Sequence, residues 1–500
     1  MKQLSYRNLL RYSPAFLAAI IAITALKLLM AHSGIGISPD SVEYLTTAEN
    51  IRLHGRIADF TGEAMVIFPA GYPALLAGIL FLTGKSILQF APILNEVLLT
   101  GILFLTNHIL NGFISKSWWL KLAILFAIVC TRGVLQVYSM LWSETLFVFL
   151  SLAFIIALRG YLHTHQLRRL IVLALIAAMA VLTRYAGVVL LGAGSILLLA
   201  DPENGLRKRL WHCLLFNFIA IIPVALNLLH NHKVSGTLTG AREPALSSFP
   251  DNMNSIAVTL SEWLPVWNIE LTGKLLLSLL LLGAGCVVVY RWLQQQSYSS
   301  YQTLTAAFFL AYTSFMLIVA TFSRFEELNN RLLLPVYIPM LLMLAGWGYT
   351  AATKLSGFRK IALLTICFCL YTSFHIHQYK QNSAAWNGIK DAGIPGYTED
   401  SWAQSETIGY IRNHKPAANE IVFAHATDAI WFLCGIYTYR LPHRDIESEL
   451  GILLSHPRFT VIMLDEGNDP DLIDIDIIKK HRRLLNLKTF ADGAIYYFGQ

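Results

Sequence analysis

Phe68-Pro69-Ala70-Gly71-Tyr72-Pro73 opens an apolar stretch that runs on to Thr83-Gly84, and whether this piece crosses a bilayer decides the fold of the chain. A spanning helix needs about 20 consecutive apolar residues. This stretch is shorter, and proline and glycine break its start. It reads as an interfacial or re-entrant segment. The basic residues give an independent check, because Lys and Arg gather on the cytoplasmic side of membrane proteins. If the piece does not cross, every strong basic cluster of the chain falls on one side. If it did, all later clusters would change sides relative to Lys2, Arg7 and Arg11 at the N-terminus.

Working outward, the same logic places eleven spans, at about 12–32, 90–110, 120–138, 143–159, 170–183, 186–200, 211–229, 271–290, 302–322, 331–350 and 361–378. The fifth and sixth are the shortest. Composition agrees: 55% of residues are hydrophobic, only 14% are charged, and the mean hydropathy is +0.53. A soluble domain carries about 25% charged residues. The net charge of +7 comes from clusters between apolar runs, so it does not imply nucleic acid. The six cysteines lie mostly within apolar runs and form no CxxC pair, which argues against a disulfide framework or a zinc site. The first apolar run lacks a short core with a small-residue cleavage site and reads as a retained anchor.

Composition changes near residue 379. Residues 379–500 hold many charged residues and no run of spanning length. Glu420–Ala424, Thr460–Leu464 and Ala494–Phe498 read as short strands, and Glu406–Asn413 and Asp474–Leu485 as helices. The expected organisation is a membrane domain over 1–378 and a small α/β domain over 379–500 on the outer face.

On this map the polar residues at span ends sort by side. Asp40, Glu43, Glu144, Arg184, Arg324 and Arg331 all fall on the outer face. Charged groups in or at a bilayer are expensive and usually face a cavity or a partner. Acids and arginines collected at one edge suggest a reaction chamber. Each has a plainer reading. Asp40-Ser41-Val42-Glu43 matches a capping box, while Ser38 with Pro39 at the first helical position is an equally good helix start. Val42, Leu45, Ala48 and Ile51 recur at helical spacing and suggest a helix lying along the membrane surface. Glu144 could pair structurally with an arginine, and Arg331 could snorkel to headgroups. Trp118, Trp119, Trp142, Trp211, Trp263 and Trp267 read as interface anchors. The pairs His163/His165 and His230/His232 lack carboxylates at a ligand spacing. The acidic turn Asp465–Asp471 lacks the full calcium-loop pattern. No glycine-rich phosphate loop follows a strand, and no Ser-His-Asp set is visible.

Taken in order, Ser38-Pro39-Asp40-Ser41 with Tyr44, Phe68–Pro73, Ser143-Glu144-Thr145-Leu146-Phe147, Leu182-Thr183-Arg184-Tyr185-Ala186-Gly187 and Arg331-Leu332-Leu333-Leu334-Pro335-Val336-Tyr337 resemble the GT-C superfamily of polyprenyl-phosphate-dependent glycosyltransferases. The likeness is to the branch of protein O-mannosyltransferases and lipid A aminoarabinose transferases, over about residues 10–350. The resemblance implies a helical membrane fold with interfacial helices in the first outer loop. It implies a catalytic acid there, matching Asp40, and a second acid matching Glu144. It assigns the donor phosphate to Arg184 and Arg331, with Arg324 as a further candidate. Glu43, Tyr44, Tyr72 and Tyr185 would shape the acceptor site. Two departures stand out. The mannosyltransferases pair adjacent acids in the first loop, whereas Ser41 follows Asp40 and the next acid is Glu43. The aminoarabinose branch has a lysine before the Pro-Pro of the re-entrant piece; here Phe68 precedes Pro69, and Lys85 is a substitute candidate.

The chemistry stands without the family. A sugar on polyprenyl phosphate has a leaving group that departs as a stable anion, so cations aimed at that phosphate matter more than a protonating acid. The acceptor needs a base within hydrogen-bond reach. One carboxylate and one or two arginines suffice, which predicts displacement with inversion. A divalent cation, Mg or Mn, held by Asp40 and Glu144 is compatible but dispensable. The expected partners are a polyprenyl-phosphate sugar, a glycan, lipid or protein acceptor, and membrane lipid. The expected location is the bacterial inner membrane with a cytoplasmic N-terminus. The rivals are a transporter, which would more often show repeated halves, and an outer-face polysaccharide ligase or polymerase. The latter is expected to rely on a large basic outer loop, whereas the loop at 230–270 carries Lys233, Arg242 and few others.

Overall fold

Each apolar run marked as a span is helical. The computed structural model describes residues 6–500 apart from 115, 241, 243, 264–269, 295–297, 325, 418 and 465–470. The helices in chain order are α1 (Tyr6–Leu29), α2 (Pro39–His54), α3 (Gly71–Thr83), α4 (Ile87–Asn111), α5 (Trp118–Cys130), α6 (Arg132–Tyr138), α7 (Glu144–Leu162) and α8 (Leu167–Thr183). They continue with α9 (Val188–Leu199), α10 (Leu206–Ser235), α11 (Phe249–Trp263), α12 (Glu270–Leu293), α13 (Tyr301–Phe322), α14 (Asn330–Lys354) and α15 (Gly357–Ala392). The chain forms two compact units, one of Met1–Leu29 with Ala64–Asn387, the other of Met30–Glu63 with Gly388–Gln500. The units therefore cut across the sequence boundary at 378, because residues 30–63 group with the C-terminal residues.

The first unit is the membrane unit. Among the described residues, eight helices are long and apolar enough to cross a bilayer, nine if α5 and α6, bent by 58°, form one span. The expectation of eleven therefore exceeds what length supports. At 1.5 Å per residue, α8 with 17 residues and α9 with 12 reach only about 25 Å and 18 Å, short of a core of about 30 Å. The Phe68–Gly84 stretch contains α3, 13 residues closed by Gly84 in the left-handed conformation (φ 65°), also too short to span. The first residue of α3 lies against α8: a Cβ on Gly71 would sit 2.5 Å from the carbonyl oxygen of Leu182. The expected outer loop at 230–270 contains α11. Helices α7, α13 and α14 form the interior, with 61%, 61% and 67% of their apolar windows buried, whereas α10, α12 and α15 are only 28%, 22% and 11% buried and offer their leucines to lipid.

The second unit holds α2, then α16 (Asp400–Gln404), α17 (Glu406–Asn413), α18 (Thr427–Cys434), α19 (Glu447–Ser455) and α20 (Ile475–His481), with strands β1 (Val422–Ala424), β2 (Tyr439–Arg440), β3 (Arg458–Leu464), β4 (Arg483–Phe490) and β5 (Gly493–Gly499). The strand order is β2-β1-β3-β5-β4. β1 runs parallel to β2 and β3, and β5 is antiparallel to β3 and β4. Alternation builds two cores. Val422, Ala424, Ile462 and Leu464 face Ile408, Ile411 and Ile430, while Phe423, Phe459 and Val461 face Leu453 and Ile478. The helix expected over Asp474–Leu485 stops at His481. Leu484 and Leu487 then pair with Phe498 and Tyr496 of β5, because strand pairing outweighs a weak helical period.

Two distant segments are sewn together in this unit. Tyr397 N–H donates to Ile37 O (2.8 Å), Ile394 N–H to Ser33 Oγ (2.9 Å) and Thr398 Oγ1 to Ile35 O (3.2 Å). Gly396 (φ 131°) permits the approach, since a Cβ there would meet Ile37 O at 2.3 Å. The cap of α2 is not the Asp40/Glu43 box. Ser38 is the N-cap with Pro39 next, Ser38 N–H donates to Ser41 Oγ (3.0 Å), and the two serine hydroxyls bond at 3.1 Å. Pro39 has no N–H and a fixed φ, so the helix starts there. In α2, Ser41, Val42 and Tyr44 to Ala48 are buried, while Arg52, Leu53 and His54 in its last turn are exposed.

Candidate active site

The membrane unit brings three of the marked residues together. Glu144 is the first residue of α7, Arg184 ends α8, and Arg331 lies in the first turn of α14. Glu144 Oε1 accepts from Arg184 Nη1 at 2.6 Å and from Arg331 Nε at 2.5 Å. The carboxylate side chain is 1% exposed, and the two guanidiniums are 15% and 13% exposed. Helix dipoles favour two of these charges, an anion at the start of α7 and a cation at the end of α8. Arg331 stands at a helix start, where the dipole opposes it. It is held there by Glu144 and by stacking on Trp142, with Cζ 4.3 Å from the ring centre. Glu144 Oε2, also buried, has no hydrogen-bond partner among the described residues. Two guanidiniums against one carboxylate leave a positive surplus in the triad. Glu326, half exposed, forms an ion pair with Arg331 at 3.7 Å and offsets part of it.

Local structure fixes the triad. Asn95, wholly buried in α4, donates to Tyr138 O (2.9 Å) and Met140 O (2.8 Å), and Tyr138 OH donates to Thr145 O (3.0 Å). These bonds set the entry into α7. Arg184 also donates to Ser143 Oγ (3.1 Å). Asn329 caps α14, its side chain accepting from the N–H of Arg331 (2.9 Å) and Leu332 (3.2 Å). Asn330 bonds Glu262 and accepts from Trp263 Nε1 at 2.5 Å. None of Asn95, Asn329, Asn330 or Glu262 was marked from the sequence. The available signal was a polar residue inside or at the mouth of an apolar run, as in Leu94-Asn95-Glu96. Trp142 and Trp263, expected as interface anchors, are 7% and 2% exposed and belong to the interior, whereas Trp119 and Trp211 are exposed.

Two cavities adjoin here. A polar one of about 130 Å³ is lined by Gln136, Trp142, Glu326, Asn329, Asn330 and Arg331. An apolar cleft of about 610 Å³ lies among α5, α14 and α15, lined by Ile124, Tyr337, Leu344, Phe368, Tyr371 and others, with Trp263 at one wall. Trp263 thus links the two, since its indole N–H bonds the Asn330 that lines the polar cavity. A small polar pocket with a guanidinium, with an apolar cleft beyond the Trp263 wall, offers separate places for an anionic head and an apolar tail.

The other marked residues are placed as follows. Tyr72 is buried in α3, with its hydroxyl at Thr145. Tyr185 is tied down, its hydroxyl donating to Val66 O and accepting from Asn231 Nδ2, both at 3.1 Å. Lys85 is exposed beyond α3, and its ammonium makes no hydrogen bond or ion pair among the described residues. Arg324 lies half-buried between α13 and α14. Asp40, Glu43 and Tyr44 lie on α2 in the second unit. Burial, and then Asp59, Asp428 and Asp40, push the Glu43 carboxyl up to about 8. Asp428 accepts from Tyr397 OH at 2.6 Å, and burial raises its carboxyl too. No group of three or more His, Cys, Asp or Glu able to hold a metal occurs among the described residues. The acidic turn, except Asp471, and Trp267 fall outside them.

No protein-family profile matches the sequence, and no curated protein matches it. Solved structures do. ArnT from Cupriavidus metallidurans bound to undecaprenyl phosphate matches over 97% of this chain and 98% of that one, with a TM-score of 0.57 at 10% identity. This chain has the GT-C fold. Its apo form gives 0.52 at 11% identity, over 97% of each chain. The archaeal oligosaccharyltransferase AglB from Archaeoglobus fulgidus, in complex with an inhibitory peptide and a dolichol-phosphate, gives 0.52 at 11% identity over 91% of this chain and 69% of that one. At such identities the likeness is of fold. It bears out the GT-C resemblance read from the motif order, and the triad with its cavities is the chemistry that this chain's own residues add to the GT-C fold.

Proposed function

We propose that this protein transfers a sugar from a polyprenyl-phosphate donor to an acceptor at the outer face of the cytoplasmic membrane. The observation that carries the reading is the polar cavity at Arg331, whose Asn330 wall is bonded by Trp263, a residue that also lines an apolar cleft. A phosphate head and a long hydrocarbon tail have that division of chemistry. Two guanidiniums held by one buried carboxylate supply fixed positive charge for a departing phosphate at no reorganisation cost. Glu144 is the orienting carboxylate of that pair.

Asp40 acts as the base. The acceptor oxygen or nitrogen attacks the anomeric carbon and gives its proton to Asp40. The anomeric carbon–oxygen bond breaks, and its electron pair leaves on polyprenyl phosphate at Arg184 and Arg331. A single displacement inverts the sugar carbon. The arginines make a divalent cation dispensable. The basic clusters support a cytoplasmic N-terminus with residues 379–500 outside. A ligase or polymerase remains the alternative within the same fold.

The test is incubation of the purified protein with a panel of polyprenyl-phosphate sugars, reading glycosylated products and released polyprenyl phosphate by mass analysis. Turnover should survive EDTA and stop in Asp40→Asn without loss of folding. A fully active Asp40→Asn enzyme refutes the base. EDTA inactivation reversed by Mn or Mg refutes the metal-free step.

A further inference from the structure

The second unit ends its sheet on rings left in the open. β2 is the edge strand, and its tyrosine Tyr439 is 43% exposed, with Tyr437 just before it at 45%. The two rings stand 5.0 Å apart at 75°. Thr438 between them is buried, so both tyrosines face the same way out. Phe60 and Trp431 form a second pair in this unit, 5.8 Å apart and half-buried. Phe60 sits in a turn made rigid by Asp59, whose Oδ1 accepts from Thr61 N–H (2.7 Å) and Oγ1 (2.6 Å). Asn50 Nδ2 donates to Ala58 O (2.9 Å) and Asp59 O (3.0 Å). Asp59 and Glu63 lie close enough to Tyr437 to raise its phenol, after burial and Tyr439. Asp59 in turn acts on Glu43, as do Asp428 and Asp40. The turn that carries Asp59 is tied to α2, within this one unit, through the Asn50 bonds.

We propose that this edge is a docking surface for a carbohydrate acceptor, with Tyr437 and Tyr439 as stacking platforms and Asp59 and Glu63 accepting from sugar hydroxyls. Sugar rings carry apolar C–H faces that lie on aromatic rings and equatorial hydroxyls that bond carboxylates. The mixture of rings and acids fits that partner. The inference rests on the proposed transferase reading and names its acceptor as a glycan rather than a lipid or protein.

The test uses the full-length protein in lipid nanodiscs and saturation-transfer NMR with short glucan, mannan, rhamnan and N-acetylglucosamine oligomers. At least one oligomer should receive saturation at its ring C–H protons. Tyr437→Ala with Tyr439→Ala should weaken that binding about tenfold or more, given two stacked rings, while Tyr437→Phe with Tyr439→Phe should keep it. The phenylalanine pair separates lost stacking from lost folding. Binding by no oligomer, or equal binding by the alanine pair, overturns the proposal. So does binding of a serine- and threonine-rich peptide mixture, in place of the sugars, that the alanine pair abolishes. Release of polyprenyl phosphate is read in the same samples: release without glycan binding sinks this inference alone, and glycan binding without release under any donor sinks the transferase reading.

Discussion

At the residue scale the decisive group is Glu144, because one oxygen atom holds two guanidiniums in place. Glu144→Gln removes the buried carboxylate that both guanidiniums share and should cost about 3–5 kcal/mol of stability, read as a lowered melting temperature in detergent. An unchanged melt would mean that the triad is not a structural unit. Arg331→Lys keeps charge but loses the Nε bond and the stacking on Trp142. Loss of a charge-assisted hydrogen bond of about 1.5–3 kcal/mol predicts turnover lower by roughly tenfold to a hundredfold. Equal turnover would remove Arg331 from the phosphate site. Glu43 makes a prediction in pH. Its carboxyl titrates near 8 when folded, against an ordinary 4.5. Between those values the native state keeps a proton that the unfolded chain has released. Stability should therefore fall as pH rises through that window, by at most ~1.4 kcal/mol per pH unit. Glu43→Gln should flatten the slope, which denaturant melts across pH would show. The motif order made Glu144, Arg184 and Arg331 visible in the sequence as separate charges. That they converge on one oxygen was not visible, since contacts between helices leave no local pattern.

At the scale of elements, α3 is the sensitive one. Its first residue has room for no side chain, with Leu182 O in the way, and Leu182 lies two residues before Arg184. Gly71→Ala should push α3 from the end of α8, cost about 1–3 kcal/mol and lower turnover by displacing Arg184. Gly78, in the same helix with nothing near its absent Cβ, is the control, and Gly78→Ala should be silent. Equal behaviour of the two variants would show that the contact is unimportant. Elements were legible where period and length agreed. α17 runs over Glu406–Asn413 as read, and β1, β3 and β5 each contain or overlap their predicted strands. Misreadings arose where two physical signals competed. Ser38-Pro39 set the start of α2 over the Asp40/Glu43 box, and β5 drew Leu484 and Leu487 from a helix into β4. The two-residue β2 has no signal of its own, being an edge laid along β1.

At the scale of the molecule, lipid exposure makes a further prediction. Cys286 on α12 and Cys367 and Cys369 on α15 are exposed, yet they lie in the helices that offer leucines outward. In membranes a charged maleimide should leave all three unlabelled, since a thiol in hydrocarbon is neither reached nor ionised, and it should label them after the protein is unfolded in SDS. Labelling by the charged reagent in intact vesicles would mean that these faces meet water. The eleven helical runs were legible because apolar length is a strong signal, but α8 and α9 showed that helicity and spanning are different questions. The partition into two units was not legible, because nothing in residues 30–63 announces a partner at 394–398. That stitching bears on the making of the protein. During synthesis at about 5–20 residues per second, the Ser33 hydroxyl and the carbonyls of Ile35 and Ile37 emerge tens of seconds before Ile394, Tyr397 and Thr398 exist to meet them. A nascent chain must keep residues 30–63 unfinished while the membrane helices of 64–387 are laid down. A premature stop near the end of the message would strand that early loop along with the missing tail.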